Sequence, residues 1–176
     1  MTSMLGFSLV ELLVSMMVVA ILLGFAAPSF RTLLMDNRLL TEVDSLITDL
    51  NYARNTALNR NVTITVCPIS TPNTPVCGSE WRQGWMVIDR NTNTILQSHS
   101  LATNAPTLSS VAIAGASTNL VEFNPRGLAT TQTNFKFCDK RGAEYARSVE
   151  VAATGFIQSG TLPGIAVWNG SALICP

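Results

Sequence analysis

Gly6-Phe7-Ser8-Leu9-Val10-Glu11-Leu12-Leu13 decides how this chain is read. Gly6 closes a short opening segment, and a bulky apolar residue, Phe7, follows it. Glu11 then stands alone ahead of an uncharged run from Leu12 to Phe30. As a helix, that run is long enough to cross a bilayer. A charge at the mouth of such a helix is costly and is kept where it serves a function. Glu11 lies one helical turn after Phe7, so its carboxylate sits near the level of that residue.

Outward from this stretch, residues 7 to 59 predict one long helix. Pro28 removes a backbone donor and predicts a bend or a local unwinding, with Gly24 loosening the helix nearby. Past Arg31 the pattern turns amphipathic. Leu39, Val43, Leu46, Leu50, Ala53 and Ala57 recur at spacings of four and three. Asp36, Glu42, Asp44, Asp49 and Asn55 lie largely off that stripe. It is read as a face that packs on a sheet rather than a coiled-coil seam. Three regions result: a leader at 1–6, an apolar helix at 7–30 and a soluble globular domain at 31–176.

After Asn59-Arg60-Asn61 the period changes to two. Val62, Ile64 and Val66 alternate with Thr63 and Thr65 as a strand, which Cys67 and Pro68 are expected to close. Trp85 to Ile88 and Thr94 to His99 predict two strands joined by the polar turn Asp89-Arg90-Asn91-Thr92-Asn93. Further strands are expected near Val111 to Ile113, from Leu120 to Asn124, at Asn134 to Cys138 and at Ser148 to Val151. Asp139-Lys140-Arg141-Gly142-Ala143 forms a charged hairpin loop between the last two. In the tail, Ala166-Val167-Trp168 precedes Asn169-Gly170, a hairpin signal. The fold class is α+β, a long N-terminal helix packed on antiparallel sheet.

Charge is sparse and balanced, 11 basic residues against 11 acidic, so no strong global field draws in nucleic acid or anionic lipid. Cys67, Cys77, Cys138 and Cys175 all lie beyond the apolar helix. An even count in an exported domain reads as two disulfides. Four cysteines permit three pairings. Chain order and the proline-rich loop Ser70 to Pro75 favour Cys67–Cys77, which staples that loop, and Cys138–Cys175, which pins the tail to the sheet. No metal is expected, since the cysteines lack close zinc-ligand spacing and there is a single His.

Gly6-Phe7-Ser8-Leu9-Val10-Glu11, placed at the start of a chain and ahead of an apolar helix, resembles the processing signal of type IV prepilins and type II secretion pseudopilins. Cys67-Pro68, Cys77, Trp81, Gly84-Trp85 and Asp89 resemble the GspH/FimT-like minor pilins and pseudopilins. The resemblance implies that a prepilin peptidase cuts between Gly6 and Phe7 and that Phe7 is N-methylated. It implies a single-pass subunit held in the inner membrane, with its globular domain in the periplasm, before incorporation into a pilus at the surface or spanning the periplasm. Glu11 would then pair with the amino terminus of a neighbouring subunit. The implied partners are minor and major pilins, the peptidase and the inner membrane. One departure is that the leader Met1 to Gly6 lacks Lys and Arg.

An enzyme is not expected. His99 stands between Ser98 and Ser100 in a predicted strand, where neighbours point to opposite faces, so no nucleophile and base are assembled. No glycine-rich phosphate loop points to a cofactor. Some FimT-like minor pilins bind DNA through an arginine-rich Gly-Arg-x-Arg motif. The nearest match here, Gly155-Phe156-Ile157-Gln158, has neither arginine. Lys136, Lys140, Arg141 and Arg147 remain as candidate DNA contacts, interleaved with Asp139, Glu144 and Glu150. The reading is a minor pilin that initiates or supports pilus assembly. Its alternatives are a DNA-binding minor pilin of natural transformation and a minor pseudopilin of type II secretion. Mass spectrometry of the membrane-extracted protein should find methylated Phe7 as the first residue; an intact Met1 on filament-incorporated protein would refute the processing reading.

Overall fold

In the computed structural model, residues 8–111 and 119–176 are described. Phe7 and Gly6 lie outside them, as do Ala112 and Ile113. Helix α1 runs from Leu9 to Arg60. It continues through Pro28 without the local unwinding that the sequence suggests. The chain divides into two units, 1–37 and 38–176. In the first, every described side chain from Ser8 to Leu34 is exposed, although most are apolar.

In the second unit the stripe is the core. Leu39, Val43, Leu46, Leu50, Ala53 and Ala57 are each at most 3% exposed. The helix stops because Asn61 takes a left-handed conformation, φ 55°. The Val62 N–H then reaches back to the Ala57 carbonyl at 3.3 Å, satisfying a carbonyl that the helix end would orphan. Asn tolerates that backbone region better than most residues.

Among the described residues eight strands follow: β1 (Ile64–Pro68), β2 (Gly84–Asp89), β3 (Thr94–Ser100), β4 (Thr107–Val111), β5 (Val121–Phe123), β6 (Thr133–Cys138), β7 (Arg147–Val151) and β8 (Ile157–Ser159). They form two four-stranded antiparallel sheets, ordered β3-β2-β1-β5 and β4-β6-β7-β8. The sheets are tied at Ala129, which bridges to Phe123 of the first and donates its N–H to Ala153, beside the second, at 3.1 Å. Ile64, Val66, Trp85, Val87 and Phe123 from one sheet join Leu108, Phe135, Phe137, Val149 and Val151 from the other. All pack with the helix stripe in a single cluster.

Each sheet also buries apolar groups on its other side. Cys67, Ile69, Met86 and Ile88 form one small cluster with Cys77 against it. Cys138, Ala146, Ala166 and Leu173 form another, with Trp168 and Cys175. Disulfides close both, joining Cys67 to Cys77 and Cys138 to Cys175. Each bridge stabilises by about 2–4 kcal/mol through restriction of the unfolded chain.

Several local expectations need correction. Cys67 and Pro68 close β1, paired with Met86 and Trp85, but the strand begins at Ile64 rather than at Val62. β4 begins earlier than expected, because Thr107 to Val111 align with Cys138 to Asn134. Ala166 to Trp168 form no strand; a lone bridge between Ile165 and Ala172 flanks the Asn169-Gly170 turn. β8 was not anticipated, since three residues after a turn offer too short a pattern to read.

Gly84 carries a precise steric demand at the start of β2. Its φ is 107°, and a Cβ there would lie 2.0 Å from the His99 carbonyl oxygen. Gly142 has a similar φ of 101° but open space around it. Gly84→Ala should destabilise by at least about 2 kcal/mol, and Gly142→Ala by clearly less. Denaturant unfolding followed by tryptophan fluorescence measures the difference; equal losses would show that the close approach at Gly84 carries no cost.

Candidate functional site

The first candidate is the carboxylate near the start of α1. Glu11 lies in the first helical turn, where the partial positive charge of the helix end favours an anion. It is exposed, and so are its apolar neighbours Leu9, Val10, Leu12 and Leu13. Chemically it offers an acceptor for a cation, set in an apolar surface. Gly6 and Phe7, the other members of this stretch, lie outside the described residues.

The second candidate is the basic set near the C-terminus, which the structure does not gather into one cationic surface. Lys136 Nζ donates to the Ile174 carbonyl at 2.5 Å. Arg147 donates to the Thr161 carbonyl at 3.2 Å. Arg141 grips Asp139 through Nε and NH2, at 2.9 and 2.6 Å, and lies 4.3 Å over the Tyr145 ring. Lys140 is exposed. Burial pushes the Asp139 carboxyl up, but the hydrogen bonds and charge of Arg141 outweigh it and hold the group below the usual carboxylate range. A depressed carboxylate contributes stability above the ordinary carboxylate pKa and loses it as pH falls through the folded value. The pair therefore acts as a hairpin staple at neutral pH, and two of its charges already cancel.

His99 is not simply a surface residue. Its Nε2 lies 2.8 Å from Glu42 Oε2, and its ring stacks on Trp85 at 4.4 Å. Trp85 in turn donates its Nε1–H to Asp49 at 2.8 Å. Glu42 and Asp49 are seven residues apart, two turns of α1, so they stand on one face. These acids lie off the apolar stripe, yet they latch the helix to the β2–β3 hairpin. A count of charges on a helical wheel does not find them; the aromatic partners opposite would have been the clue. Among the described residues, no group of three His, Cys, Asp or Glu is arranged to hold a metal.

Gly155-Phe156-Ile157-Gln158 falls at the β7–β8 turn and the start of β8. Gly155 has φ 78°, and a Cβ there would lie 1.9 Å from the Gly127 carbonyl oxygen. That same oxygen accepts from Arg54 Nε of α1 at 3.0 Å. Three segments distant in sequence thus meet at the C-terminal end of the helix. Phe156 is exposed there.

A family profile described as "Type II transport protein GspH" matches residues 42–155. Two crystal structures of the type IV minor pilin FimU from Pseudomonas aeruginosa share the fold. One superposes with a TM-score of 0.55 at 18% identity, covering 72% of this chain and 95% of FimU. The other, in a second crystal form, gives 0.54 at 18% identity, covering 69% and 92%. At that identity the likeness speaks for the fold alone. No curated protein matches the sequence. The profile match reaches from Glu42, in the helix that carries the core stripe, to Gly155, at the turn where three segments meet, and takes in more than half of the residues; the chain belongs to the GspH family of minor pilins and pseudopilins.

Proposed function

We propose that this chain is a minor subunit of a type IV pilus, with a structural role in initiating or supporting assembly. The observation that carries the reading is the contrast along α1. Its first part exposes apolar side chains and a single carboxylate, Glu11, while residues from Leu39 onward are the core of a disulfide-closed domain. An apolar surface of that length is stable only in lipid or among similar helices. The subunit would lose residues 1–6 to the prepilin peptidase, carry an N-methyl group on Phe7 and span the inner membrane through residues 7–30. Residues 31–176 would face the periplasm until assembly.

Glu11 gives the reading its test. In a bundle of apolar helices an unpaired carboxylate costs several kcal/mol, and a neighbour's amino terminus removes that cost in one axial register only. Glu11→Leu should insert into the membrane at least as well as wild type. It should also leave the globular domain folded, because Glu11 lies outside it. Incorporation into filaments should fall, and less so if the subunit caps the tip, where it has fewer neighbours. Complementation of a deletion strain, scored by surface filaments and subunit incorporation, decides this; wild-type incorporation of Glu11→Leu would remove the register role.

A pseudopilin of type II secretion is the second reading, favoured by the description of the matching family. DNA uptake finds less support. Three of the four candidate cations hold internal partners, and the motif position carries Phe156 and Gln158 in place of arginines. Phosphate binding draws on several unopposed cations releasing counterions. Duplex DNA should therefore bind the protein weakly and lose affinity with added salt. Micromolar binding at physiological salt, abolished by changing Lys140, Arg141 and Arg147, would restore the uptake reading.

A further inference from the structure

The two halves of the Cys67–Cys77 bridge differ. Cys67 is fully buried in β1, whereas Cys77 is half-buried at the far side of the proline-rich loop. Arg90 Nη2 donates to Cys77 Sγ at 3.5 Å. That guanidinium is held in place, because its Nε donates to Thr65 Oγ1 at 3.1 Å. Thr65 in turn donates its hydroxyl proton to Glu122 Oε1 at 3.2 Å. Asp89, beside Arg90 in sequence, turns its Oδ1 to the Asn91 and Thr92 N–H groups. At the other bridge, the Lys136 ammonium goes to the carbonyl of Ile174, next to Cys175. The backbone at Cys77 is also fixed independently of its sulfur. Cys77 forms a β-bridge with Ile69, and the Gly78 N–H donates to the Pro68 carbonyl at 2.8 Å. A Cβ at Gly78 would lie 2.8 Å from the Ile69 carbonyl oxygen, so the two backbones run in close contact. Opening the disulfide therefore leaves Cys77 beside Arg90 and releases the loop of residues 70–76.

We propose that Cys77, with Arg90 against its sulfur, is a thiol–disulfide exchange site at which a dithiol partner opens and recloses the Cys67–Cys77 bridge in the folded domain. The proposal does not rest on the pilin reading. A partner thiolate attacks Sγ of Cys77, the more accessible of the two residues. The S–S bond breaks, its electron pair leaves on Cys67 Sγ, and that thiolate takes a proton from water. Cys67 then packs as a small hydrophobe among Ile69, Met86 and Ile88. The partner's second thiolate attacks the partner sulfur of the mixed disulfide and releases Cys77 as a thiolate. The partner is oxidised to its disulfide, and the bridge is reduced by two electrons. Reclosure runs the same steps backwards on an oxidised partner. Arg90 acts in both directions: its charge draws in the attacking anion and stabilises the Cys77 thiolate as leaving group or nucleophile.

The test uses the full-length, detergent-extracted chain and reduced glutathione, a monothiol that gives the mixed disulfide. The reaction is quenched with N-ethylmaleimide and read by peptide mass spectrometry. Glutathione should be found on Cys77 and maleimide on Cys67, while Cys138–Cys175 stays closed. Arg90→Gln should slow the adduct at least about threefold, and Arg90→Lys should keep most of the rate. An arginine with a purely structural role does not move a titration. In Cys67→Ala, the maleimide reaction of the Cys77 thiol is therefore followed against pH. Its midpoint should rise when Arg90→Gln is added and stay when Arg90→Lys is added. Should Cys67→Ala fail to fold, as read by tryptophan fluorescence, the pH dependence of the glutathione rate in the wild-type chain and the two Arg90 variants decides. An adduct on Cys67 overturns the proposal. So does opening of Cys138–Cys175 at an equal or higher rate, or a rate and pH profile indifferent to Arg90→Gln.

Discussion

The second unit depends on one contact, the stripe from Leu39 to Ala57 against both sheets. Among the described residues the two sheets share no hydrogen-bonded ladder, and Ala129 ties them. What unites them is that their inner faces bury apolar side chains on the same helix. Burial of a Leu or Phe side chain contributes about 1.5–3 kcal/mol, so this cluster outweighs any single polar contact in the unit. Side chains on the stripe shrink from Leu and Val to Ala53 and Ala57. Smaller residues at a contact permit closer approach, and the tight junction of Leu58, Gly127 and Gly155 lies at that end.

Polar contacts then fix how the helix lies on its sheets. Apolar packing is non-directional and would tolerate some sliding. The Glu42–His99 and Asp49–Trp85 contacts, two turns apart on α1, would both be lost if the helix slipped by one turn. At the far end, the hydrogen bond from Arg54 to the Gly127 carbonyl plays the same part. Thus the hydrophobic stripe supplies most of the energy, and three side chains off the stripe supply the register.

Period and chain order made much of this legible. The stripe is strictly periodic, so its six members could be named without any structure. β1, β6 and β7 show alternation, while β2 reads as a short apolar run, because Trp85 and Val87 enter the main cluster and Met86 and Ile88 the smaller one on the other side. β8 is short and follows a turn, so it had no pattern of its own; its pairing with β7 supplies its order. Pro68 reads as a terminator, and it sits at the end of β1, where a missing N–H removes little pairing. The basic residues were legible as a set in sequence but not in space. Arg141 folds back on Asp139, while Arg54 and Arg126, seventy-two positions apart, come together only through the fold.

The order of the disulfides carries a consequence for biogenesis. The bridges are consecutive along the chain, spanning 10 and then 37 positions, and neither encloses nor crosses the other. In a chain that emerges into an oxidising compartment from its N-terminal end, Cys67 and Cys77 meet before Cys138 arrives. The first pair formed is then the native one, and no slow thiol–disulfide reshuffling is needed to reach the final state. The second bridge is different: Cys138 must wait for the 37 positions that lead to Cys175. During that interval one thiol would stand open to oxidants and isomerases, and its closure would mark the moment at which Cys175 is in place.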